Sequence, residues 1–399
     1  MKNNDPKNTV ENYINPKAAI AVLVTFILLV GCLVPMFVGL AMDTFGSDAE
    51  LSDDGEKAPS KNKGTQSDTP VSVTSKPGEK TGMVLPSATA SGSLLSSSAG
   101  SVQTIDNISS EYAVLVRLDN NTSVAEKGAD TVIHPASMTK IMTLLVACEN
   151  AADPNALLTV TQDMLDRRTE LDGSGELVDS TSVVDENSDV VKIDIVGKSV
   201  TVEDALHLIN YRSDTVACLL IAEYVAGNEK AFVDMMNQRA KDLQLNNTKF
   251  VNCTGLTEKD KTHNTTTCRE MAAIMACALK NEAAKDIITA YGKYQRYKAD
   301  IYENGKKMDC YIPFFAYWYN NETRLKNNPW AGYVKILGAK TGYEDISTAC
   351  FVTYGIHDDT GTEYICVTVG KGIQSTGNGV NEATSTADTR AIYKKYATE

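Results

Sequence analysis

The chain has 399 residues, of which 43% are hydrophobic, and its formal net charge is −13. This length and apolar content suffice for one large or two small hydrophobic cores with additional segments. The acidic balance argues against nucleic acid as a partner, because binding to nucleic acid requires a basic surface.

The first predicted element is an uncharged apolar run at residues 18–42. As a helix it would be about 37 Å long, enough to span a bilayer, whereas a cleavable signal has only about 7–15 apolar residues. Lysines precede the run and acidic residues follow it, so the positive-inside rule places residues 1–17 in the cytoplasm. We expect an uncleaved single-pass anchor, with cleavage near residues 39–41 as the alternative. Lipidation at Cys32 is not expected, because the apolar run continues beyond it.

A tether is predicted next, at residues 43–108, which are rich in Ser, Thr, Gly, Lys and Asp and poor in aromatic residues. Such a segment cannot bury enough apolar surface to offset the entropy lost on ordering. The tether would hold the rest of the chain away from the membrane, toward the cell wall.

Ser137 and Lys140 form an S-x-x-K motif at the start of an apolar helical segment. Three residues make nearly one helical turn, so both side chains fall on the same face. A serine hydroxyl needs a base to become a nucleophile, and a lysine is such a base when its surroundings disfavour the ammonium form. We therefore interpret Ser137 as a candidate nucleophile and Lys140 as its base. His134 lies close by, but Lys140 already fills the role of base.

The segment 172–189 is rich in acidic residues, and we predict that it is a solvent-exposed insertion. Residues 185–189 imitate the first positions of a calcium loop. The glycine and the glutamate that such a loop requires further along are missing. We therefore expect no metal at this loop.

Histidine and cysteine, the usual metal-binding and disulfide-forming residues, show no pattern along the chain. The four histidines have no metal-ligand spacing, and the nine cysteines form no C-x-x-C pair. Cys148, Cys218 and Cys277 fall in apolar helical runs, where a free cysteine acts as a small buried hydrophobic residue. Free thiols are the favoured interpretation, although the even number of cysteines beyond the apolar run also permits disulfides.

Two further motifs follow in the second half of the chain. Ser213, Asp214 and Thr215 form an S-D-T element that opens an apolar run. A K-T-G element at residues 340–342 is followed by a strand-like segment at 348–354. On a strand edge, K-T-G offers a cation and a hydroxyl to a carboxylate, and its glycine lets a ligand approach the backbone.

The order S-x-x-K, S-D-N, K-T-G is the signature of penicillin-binding proteins and class A β-lactamases. With S-D-T as its middle element, this sequence resembles the low-molecular-mass penicillin-binding proteins that act as serine-type D-Ala-D-Ala carboxypeptidases. The resemblance runs from about Glu111 to the C-terminus. Besides the motifs, it includes two strand-like segments, a helix and the segment after the S-D-T element, at residues 113–119, 124–127, 202–206 and 247–256.

The resemblance implies a catalytic domain at residues 109–399 with an α/β (α+β), penicillin-binding/β-lactamase-like fold. An antiparallel sheet built from both ends of this domain would be flanked by helices. A mostly helical subdomain would be inserted, and the active site would lie between the two. Many relatives carry a C-terminal β domain and an amphipathic anchor, and we expect both to be absent here, with residues 18–42 as the anchor.

The catalytic residues implied by the resemblance are Ser137, Lys140 and Ser213. Lys140 would deprotonate Ser137, which attacks the carbonyl between the two D-alanines that end a peptidoglycan stem peptide. Ser213 would pass a proton to the departing amine. The backbone N–H groups of Ser137 and Tyr343 would stabilise the oxyanion.

The substrate-binding residues implied by the resemblance are Thr215, Lys340, Thr341, Gly342 and Tyr343. Lys340 and Thr341 would bind the terminal carboxylate. Thr215 stands where the family usually has asparagine, and it offers only one shorter hydroxyl to position substrate and base. Water would hydrolyse the acyl-enzyme without a cofactor. β-Lactams would acylate the same serine.

Partners and location follow from the same resemblance together with the N-terminal run. We expect a stem peptide ending in D-Ala-D-Ala as substrate, β-lactam antibiotics as inhibitors, and the membrane as a partner through the helix at residues 18–42. The catalytic domain would be extracytoplasmic. No metal, cofactor or nucleic acid is expected.

Three alternative functions stay open. A DD-transpeptidase would use the same acyl-enzyme. A class A β-lactamase needs an E-x-x-L-N loop, but the nearest match, Glu322 to Lys326, ends in lysine and lies shortly before K-T-G. A non-catalytic wall-binding module would explain the substitution at Thr215, although the presence of both Ser137 and Lys140 argues against it.

Overall fold

A computed structural model describes residues 102–172, 180–290, 297–314, 334–370, 373–375 and 381–397. The predicted anchor at residues 18–42 and the segment from Glu322 to Lys326 lie outside these ranges, as does the tether before residue 102. None of the helices within the described ranges is long and apolar enough to cross a membrane.

The described elements come in runs of strands and runs of helices along the chain. The strands are β1 (Gln103–Thr104), β2 (Tyr112–Arg117), β3 (Thr122–Lys127), β4 (Val132–Ile133), β5 (Leu157–Thr159), β6 (Ser180–Asp185), β7 (Val190–Asp194), β8 (Lys198–Thr201), β9 (Thr266–Thr267), β10 (Tyr297–Glu303), β11 (Lys306–Phe314), β12 (Val334–Glu344), β13 (Thr348–His357), β14 (Glu363–Val369), β15 (Ile373–Ser375) and β16 (Asn381–Ala383). The helices are α1 (Lys140–Asn150), α2 (Gln162–Asp172), α3 (Val202–Tyr211), α4 (Thr215–Ala226), α5 (Glu229–Asp242), α6 (Cys268–Ala278), α7 (Glu282–Thr289) and α8 (Thr384–Tyr396).

The main sheet joins the two ends of the described chain in the order β1-β3-β2-β14-β13-β12. Neighbouring strands are antiparallel, apart from the short parallel pair β1 and β3. Strand β2 pairs with β14, where Leu115 lies opposite Cys366. This is the antiparallel sheet from both domain ends that the resemblance implied. Because β1 belongs to this sheet, the folded part begins inside the predicted tether, before residue 109.

Helices cover the main sheet on both faces. Side chains alternate along a strand, so Val114 and Val116 face the core that contains α1 and α6, whereas Ala113 and Leu115 face α8. The four side chains are completely buried. Burial on both faces explains why β2 is a continuous apolar run rather than an alternating one.

A second sheet accompanies the helices between β3 and β12, in the order β5-β8-β10-β11-β6-β7. The expectation of a mostly helical insertion was therefore wrong in part. Residues 173–179 lie outside the described ranges. For residues 180–189, the expectation of a solvent-exposed insertion was also wrong in part, because β6 and β7 form an antiparallel hairpin around the turn at 185–189. Val183 is completely buried in this hairpin. The apolar pattern of these two short strands was not recognised because acidic residues surround it.

Candidate active site

Ser137 lies in a 3₁₀ turn, Ala136–Thr139, directly before α1 begins at Lys140. Ala136 has a φ of 45°, a left-handed conformation that is costly for a residue with a Cβ. Met138 anchors the turn, since its side chain is completely buried. The turn holds Ser137 half-buried at the N-terminus of α1, where the helix dipole favours a developing negative charge.

The amine of Lys140 lies beside the hydroxyl of Ser137. Lys140 Nζ is 3.2 Å from Ser137 Oγ and 2.5 Å from the carbonyl oxygen of Thr254. The lysine is only 1% exposed, and no carboxylate lies within ion-pair distance of it in the described part of the chain. A buried amine at this distance from a hydroxyl has the geometry of a general base.

A second lysine and serine pair involves the two later motifs. Lys340 Nζ donates hydrogen bonds to Ser213 Oγ at 3.0 Å and to the carbonyl oxygen of Thr341 at 2.9 Å. Ser213 has a φ of 56°, a left-handed conformation with a cost of about 1–3 kcal/mol that surrounding structure must sustain. The strained backbone therefore presents the Ser213 hydroxyl to Lys340.

Lys340 is 1% exposed, which makes its charge unfavourable in the unliganded site. Burial lowers the pKa of its ammonium group well below the usual range, and the charge of Lys140 lowers it further, while Cys218 opposes these effects. An anion bound nearby would favour the charged form again. The surroundings of Lys340 therefore suit a ligand that brings its own negative charge, such as a carboxylate.

Strand β12 brings Gly342 against the turn that carries Ser137. A Cβ at Gly342 would lie 3.0 Å from the Pro135 carbonyl oxygen and 3.1 Å from the Ser137 nitrogen. A larger residue here would require the strand or the turn to shift by a few tenths of an ångström, so glycine permits this close approach. β12 is the edge strand of the main sheet, and the following residue, Tyr343, is 58% exposed. A ligand therefore has access to this part of the strand.

Thr215 is the first residue of α4, whose N-cap Asp214 accepts a hydrogen bond from the Ala217 N–H at 3.0 Å. Thr215 is 9% exposed, and its hydroxyl has no hydrogen-bond partner among the residues described. The Lys140 amine bonds to Thr254 instead. The third residue of the S-D-T element thus follows Ser213 closely in sequence, but it makes no hydrogen bond to the base within the described ranges.

The turn at residues 252–255 contributes to the site although its sequence predicted no role for it. This turn supplies the Thr254 carbonyl that accepts from Lys140, and its backbone is organised by the buried side chain of Asn252. Asn252, Thr254 and Gly255 are residue types that favour turns and loops. The residue types thus predict a turn, but they do not predict that the turn lies next to Lys140.

His134 does not contact the nucleophile, although it lies three residues before it. Its ring packs edge-on against that of His263, with centroids 3.6 Å apart. Burial lowers the pKa of His134, and the neighbouring His263 lowers it further. Among the described residues, the Ser137 hydroxyl has the Lys140 amine as its hydrogen-bond partner. The geometry therefore favours a serine and lysine pair.

The eight cysteines of the described chain are free thiols, and most of them are buried. Burial raises the pKa of Cys218, near the two lysines, to about 12. Its thiol donates a hydrogen bond to the Asp214 carbonyl. Such thiols pack as small hydrophobic groups. Within the described ranges, no three His, Cys, Asp or Glu residues are grouped so as to hold a metal ion.

Sequence comparison identifies the family of this chain and several relatives. The family described as D-alanyl-D-alanine carboxypeptidase matches residues 99–372. D-alanyl-D-alanine carboxypeptidase DacF of Bacillus subtilis is 29% identical over 238 residues, which are 60% of this chain and 52% of the relative. DacC of Escherichia coli is 30% identical over 176 residues, 43% of this chain and 40% of the relative. The chain thus spans about half the length of these relatives or less.

Solved structures share the fold at low sequence identity. A variant of the Streptomyces K15 DD-transpeptidase superposes with a TM-score of 0.54 and 21% identity, covering 73% of this chain and 98% of that one. A D-alanyl-D-alanine carboxypeptidase from Mycobacterium tuberculosis has a TM-score of 0.54 and 18% identity, covering 75% and 95%. These similarities show that the mixed α/β architecture is that of DD-peptidases.

Proposed function

Because this chain belongs to the D-alanyl-D-alanine carboxypeptidase family, we propose that it removes the terminal D-alanine from peptidoglycan stem peptides. The reaction proceeds through an acyl-enzyme on Ser137, and β-lactams inhibit it by acylating the same serine. The observation that carries this proposal is the distance of 3.2 Å between Lys140 Nζ and Ser137 Oγ in a buried site.

Acylation begins when Ser137 Oγ attacks the carbonyl of the penultimate D-alanine and Lys140 takes the hydroxyl proton. The C–O bond of the ester forms, and the C–N bond to the last D-alanine breaks. The departing nitrogen needs a proton, and Ser213 relays to it the proton that Lys140 took from Ser137. The hydrogen bond from the Lys340 amine to Ser213 at 3.0 Å supports this role, because it fixes the position of the hydroxyl.

Substrate binding is assigned to the strand that carries Lys340, Thr341 and Gly342. The anionic carboxylate of the last D-alanine pairs with the Lys340 ammonium and the Thr341 hydroxyl, which gives a charge-assisted contact. The N–H groups of Ser137 and Tyr343 bind the oxyanion. The close approach of Gly342 to the Ser137 nitrogen supports this pairing, since it brings the two donors to the same place.

Water then hydrolyses the ester and releases the shortened stem peptide. An amine from a neighbouring stem peptide would turn the same acyl-enzyme into a transpeptidase product. A single incubation separates these outcomes. With a peptide ending in D-Ala-D-Ala, we expect free D-alanine and the shortened peptide. A cross-linked dimer would favour the transpeptidase, and no reaction would favour a non-catalytic wall-binding module.

Covalent labelling tests the nucleophile directly. A fluorescent penicillin is expected to label the protein at Ser137, with peptide mapping to locate the adduct, and Ser137→Ala is expected to abolish the labelling. Labelling that survives this substitution would remove Ser137 from the mechanism. Rapid hydrolysis of the penicillin with turnover would instead indicate a β-lactamase.

For the whole chain, we propose a single-pass membrane protein with an extracytoplasmic catalytic domain. The apolar run at residues 18–42 and the lysines before it support this topology. The residues between the run and β1 act as a tether, and residues 1–17 are cytoplasmic. N-terminal sequencing of the mature protein from the membrane fraction is expected to find the uncleaved N-terminus. A start near residue 42, with release into the medium, would contradict the anchor.

A further inference from the structure

We propose that Asn252 is a positioning residue for Lys140, acting through the turn at residues 252–255. This inference rests on the proposed function, because it assigns the group that holds the base. Thr215 stands where the family usually has asparagine, and it is not among the hydrogen-bond partners of Lys140 in the described part of the chain. Besides Ser137, the hydrogen-bond partner of the Lys140 amine in the described chain is the Thr254 carbonyl oxygen, at 2.5 Å from Nζ.

The side chain of Asn252 determines where this carbonyl points. Asn252 is completely buried, and its Oδ1 accepts three hydrogen bonds from the turn. The donors are the Thr254 N–H at 3.2 Å, the Thr254 hydroxyl at 3.0 Å and the Gly255 N–H at 2.8 Å. The Gly255 N–H belongs to the same peptide group as the Thr254 carbonyl, and the Thr254 N–H belongs to the preceding one, so their bonds to Oδ1 restrict the rotation of this carbonyl.

The other end of the amide anchors Asn252 to the inserted helices. Its Nδ2 donates to the Leu256 carbonyl at 2.8 Å and to Glu258 Oε1 at 2.9 Å. Arg167 of α2 binds both carboxylate oxygens of Glu258, at 2.8 and 2.9 Å, and also Glu229 of α5 at 2.8 Å. A bidentate guanidinium pair has a defined orientation. The turn is therefore held from two helices.

The same turn is packed against the turn that carries the nucleophile. Gly255 has a φ of +86°, and a Cβ there would lie 2.0 Å from the Ala136 carbonyl oxygen. Asn264 Nδ2 joins the two turns, donating to Thr139 Oγ1 at 3.0 Å and to the Asn252 carbonyl at 3.1 Å. The turn at 252–255 and the turn Ala136–Thr139 thus move together, and the base keeps its distance from Ser137.

A lysine needs a positioning contact such as the Thr254 carbonyl because its long side chain has several rotatable bonds and loses much entropy when it is fixed. A displacement of about 1 Å from the reactive geometry can cost 10²-fold in rate. If Asn252 is truncated, the Thr254 carbonyl is free to turn, and the Lys140 amine loses its second contact. Acylation should slow, while initial non-covalent binding of a ligand at Lys340 should not change.

The test compares three variants of the full chain by stopped-flow acylation with a fluorescent penicillin, separating the acylation rate constant from the non-covalent Kd. Asn252→Ala removes all five side-chain hydrogen bonds described above, and Asn252→Asp keeps the three that Oδ1 accepts. Asn237→Ala is the matched control. Asn237 Nδ2 donates to the Phe250 carbonyl and Asn237 Oδ1 accepts from the Phe250 N–H, both at 2.8 Å. These bonds lie outside the turn at residues 252–255.

We expect Asn252→Ala to lower the acylation rate constant by about 10- to 100-fold at an unchanged Kd. Asn252→Asp should lose less, and Asn237→Ala should stay within roughly threefold of wild type while its melting temperature falls. Wild-type rates in Asn252→Ala, or an equal loss in Asn237→Ala, would overturn the proposal.

A crystal structure of Asn252→Ala supplies a readout that does not depend on catalysis. We expect the Lys140 amine to leave its position beside Ser137 Oγ. An amine that stays in place overturns the role of Asn252, whatever the kinetics. If wild-type protein is not labelled by penicillin at all, the proposed function fails, and this structural readout still decides whether Asn252 holds Lys140.

Discussion

The two sides of the main sheet bury polar groups in opposite ways. On the side of α8, the Asp388 carboxylate is 7% exposed and accepts three hydrogen bonds. The donors are the N–H groups of Ser109 and Ser110 and the Ser110 hydroxyl, at 3.1, 2.5 and 2.6 Å. On the side of α1, Lys140 and Lys340 are buried, and neither has a carboxylate partner within the described ranges.

The difference indicates which side serves stability and which serves chemistry. A buried polar group with its hydrogen bonds satisfied helps to specify the fold, whereas two buried cations near each other oppose it. Left-handed Ala136 and Ser213 add backbone strain on the side of the lysines. We infer that the α8 side offsets the cost of a site that is prepared for an anionic substrate.

Lys140→Met should give the largest effect and tests the side of α1. Loss of a general base is expected to lower the rate of acylation by penicillin by about 10²–10⁴-fold. The melting temperature should change little, because an apolar side chain of similar length replaces the buried amine and offsets the loss of its hydrogen bonds to Ser137 and Thr254. Labelling kinetics and thermal unfolding measure the two quantities. A loss of stability without a loss of rate would mean that Lys140 serves the stability of the fold and not the chemistry.

Asp388→Ala tests the opposite side. It leaves two backbone N–H groups without their acceptor and is expected to lower the free energy of unfolding by about 3 kcal/mol. The rate of acylation per folded molecule should stay the same. Asp358→Ala, at an exposed position in the hairpin between β13 and β14, serves as control and should change stability by less than about 0.5 kcal/mol. Denaturant unfolding gives both values.

Thr215→Val examines the residue that replaces the usual asparagine. If its hydroxyl contacts the substrate, removing one hydrogen bond should slow acylation about tenfold, or about 1.4 kcal/mol of barrier. Thr215→Asn should keep or improve the rate. Acylation by penicillin and turnover of a D-Ala-D-Ala peptide are measured beside the melting temperature. Equal rates for valine and threonine would leave Ser213 as the contributor from this motif.

Lys340→Met should produce the smallest effect, a change in how stability depends on pH. The pKa of Lys340 is lowered by burial and by Lys140, so the unfolded state binds more protons between the folded pKa and about 10.4. Wild-type stability should therefore rise with pH in this window, and the rise should be absent in the variant.

The measurement is the difference in melting temperature between the two proteins from pH 7 to pH 10. The melting temperature of the variant is expected to fall relative to that of wild type as the pH rises across this range. If the difference in melting temperature does not change with pH, the charged form of Lys340 costs no free energy in the folded state. The two sides of the sheet would then differ less than their contacts suggest.

Local patterns in the sequence determined the parts of the site that lie within a few residues of one another. The spacing of Ser137 and Lys140 predicts a shared face because helical periodicity depends only on neighbouring residues. The apolar runs of β2 and β13 and the glycine of K-T-G likewise predicted strands with a site at their edge. The order of the motifs carried the resemblance, and the resemblance implied the sheet built from both ends of the domain.

Tertiary structure alone decided which distant residues meet. Ser213 and Lys340 are 127 positions apart, and Thr254 lies 114 positions from the lysine that it holds. The motif residues Ser213 and Lys340 were predicted to share the site, but their direct hydrogen bond was not. Thr254 contributes a backbone carbonyl, a group that every residue has, so its residue type carries no signal. Only the packing of one turn against another determines which carbonyl reaches Lys140.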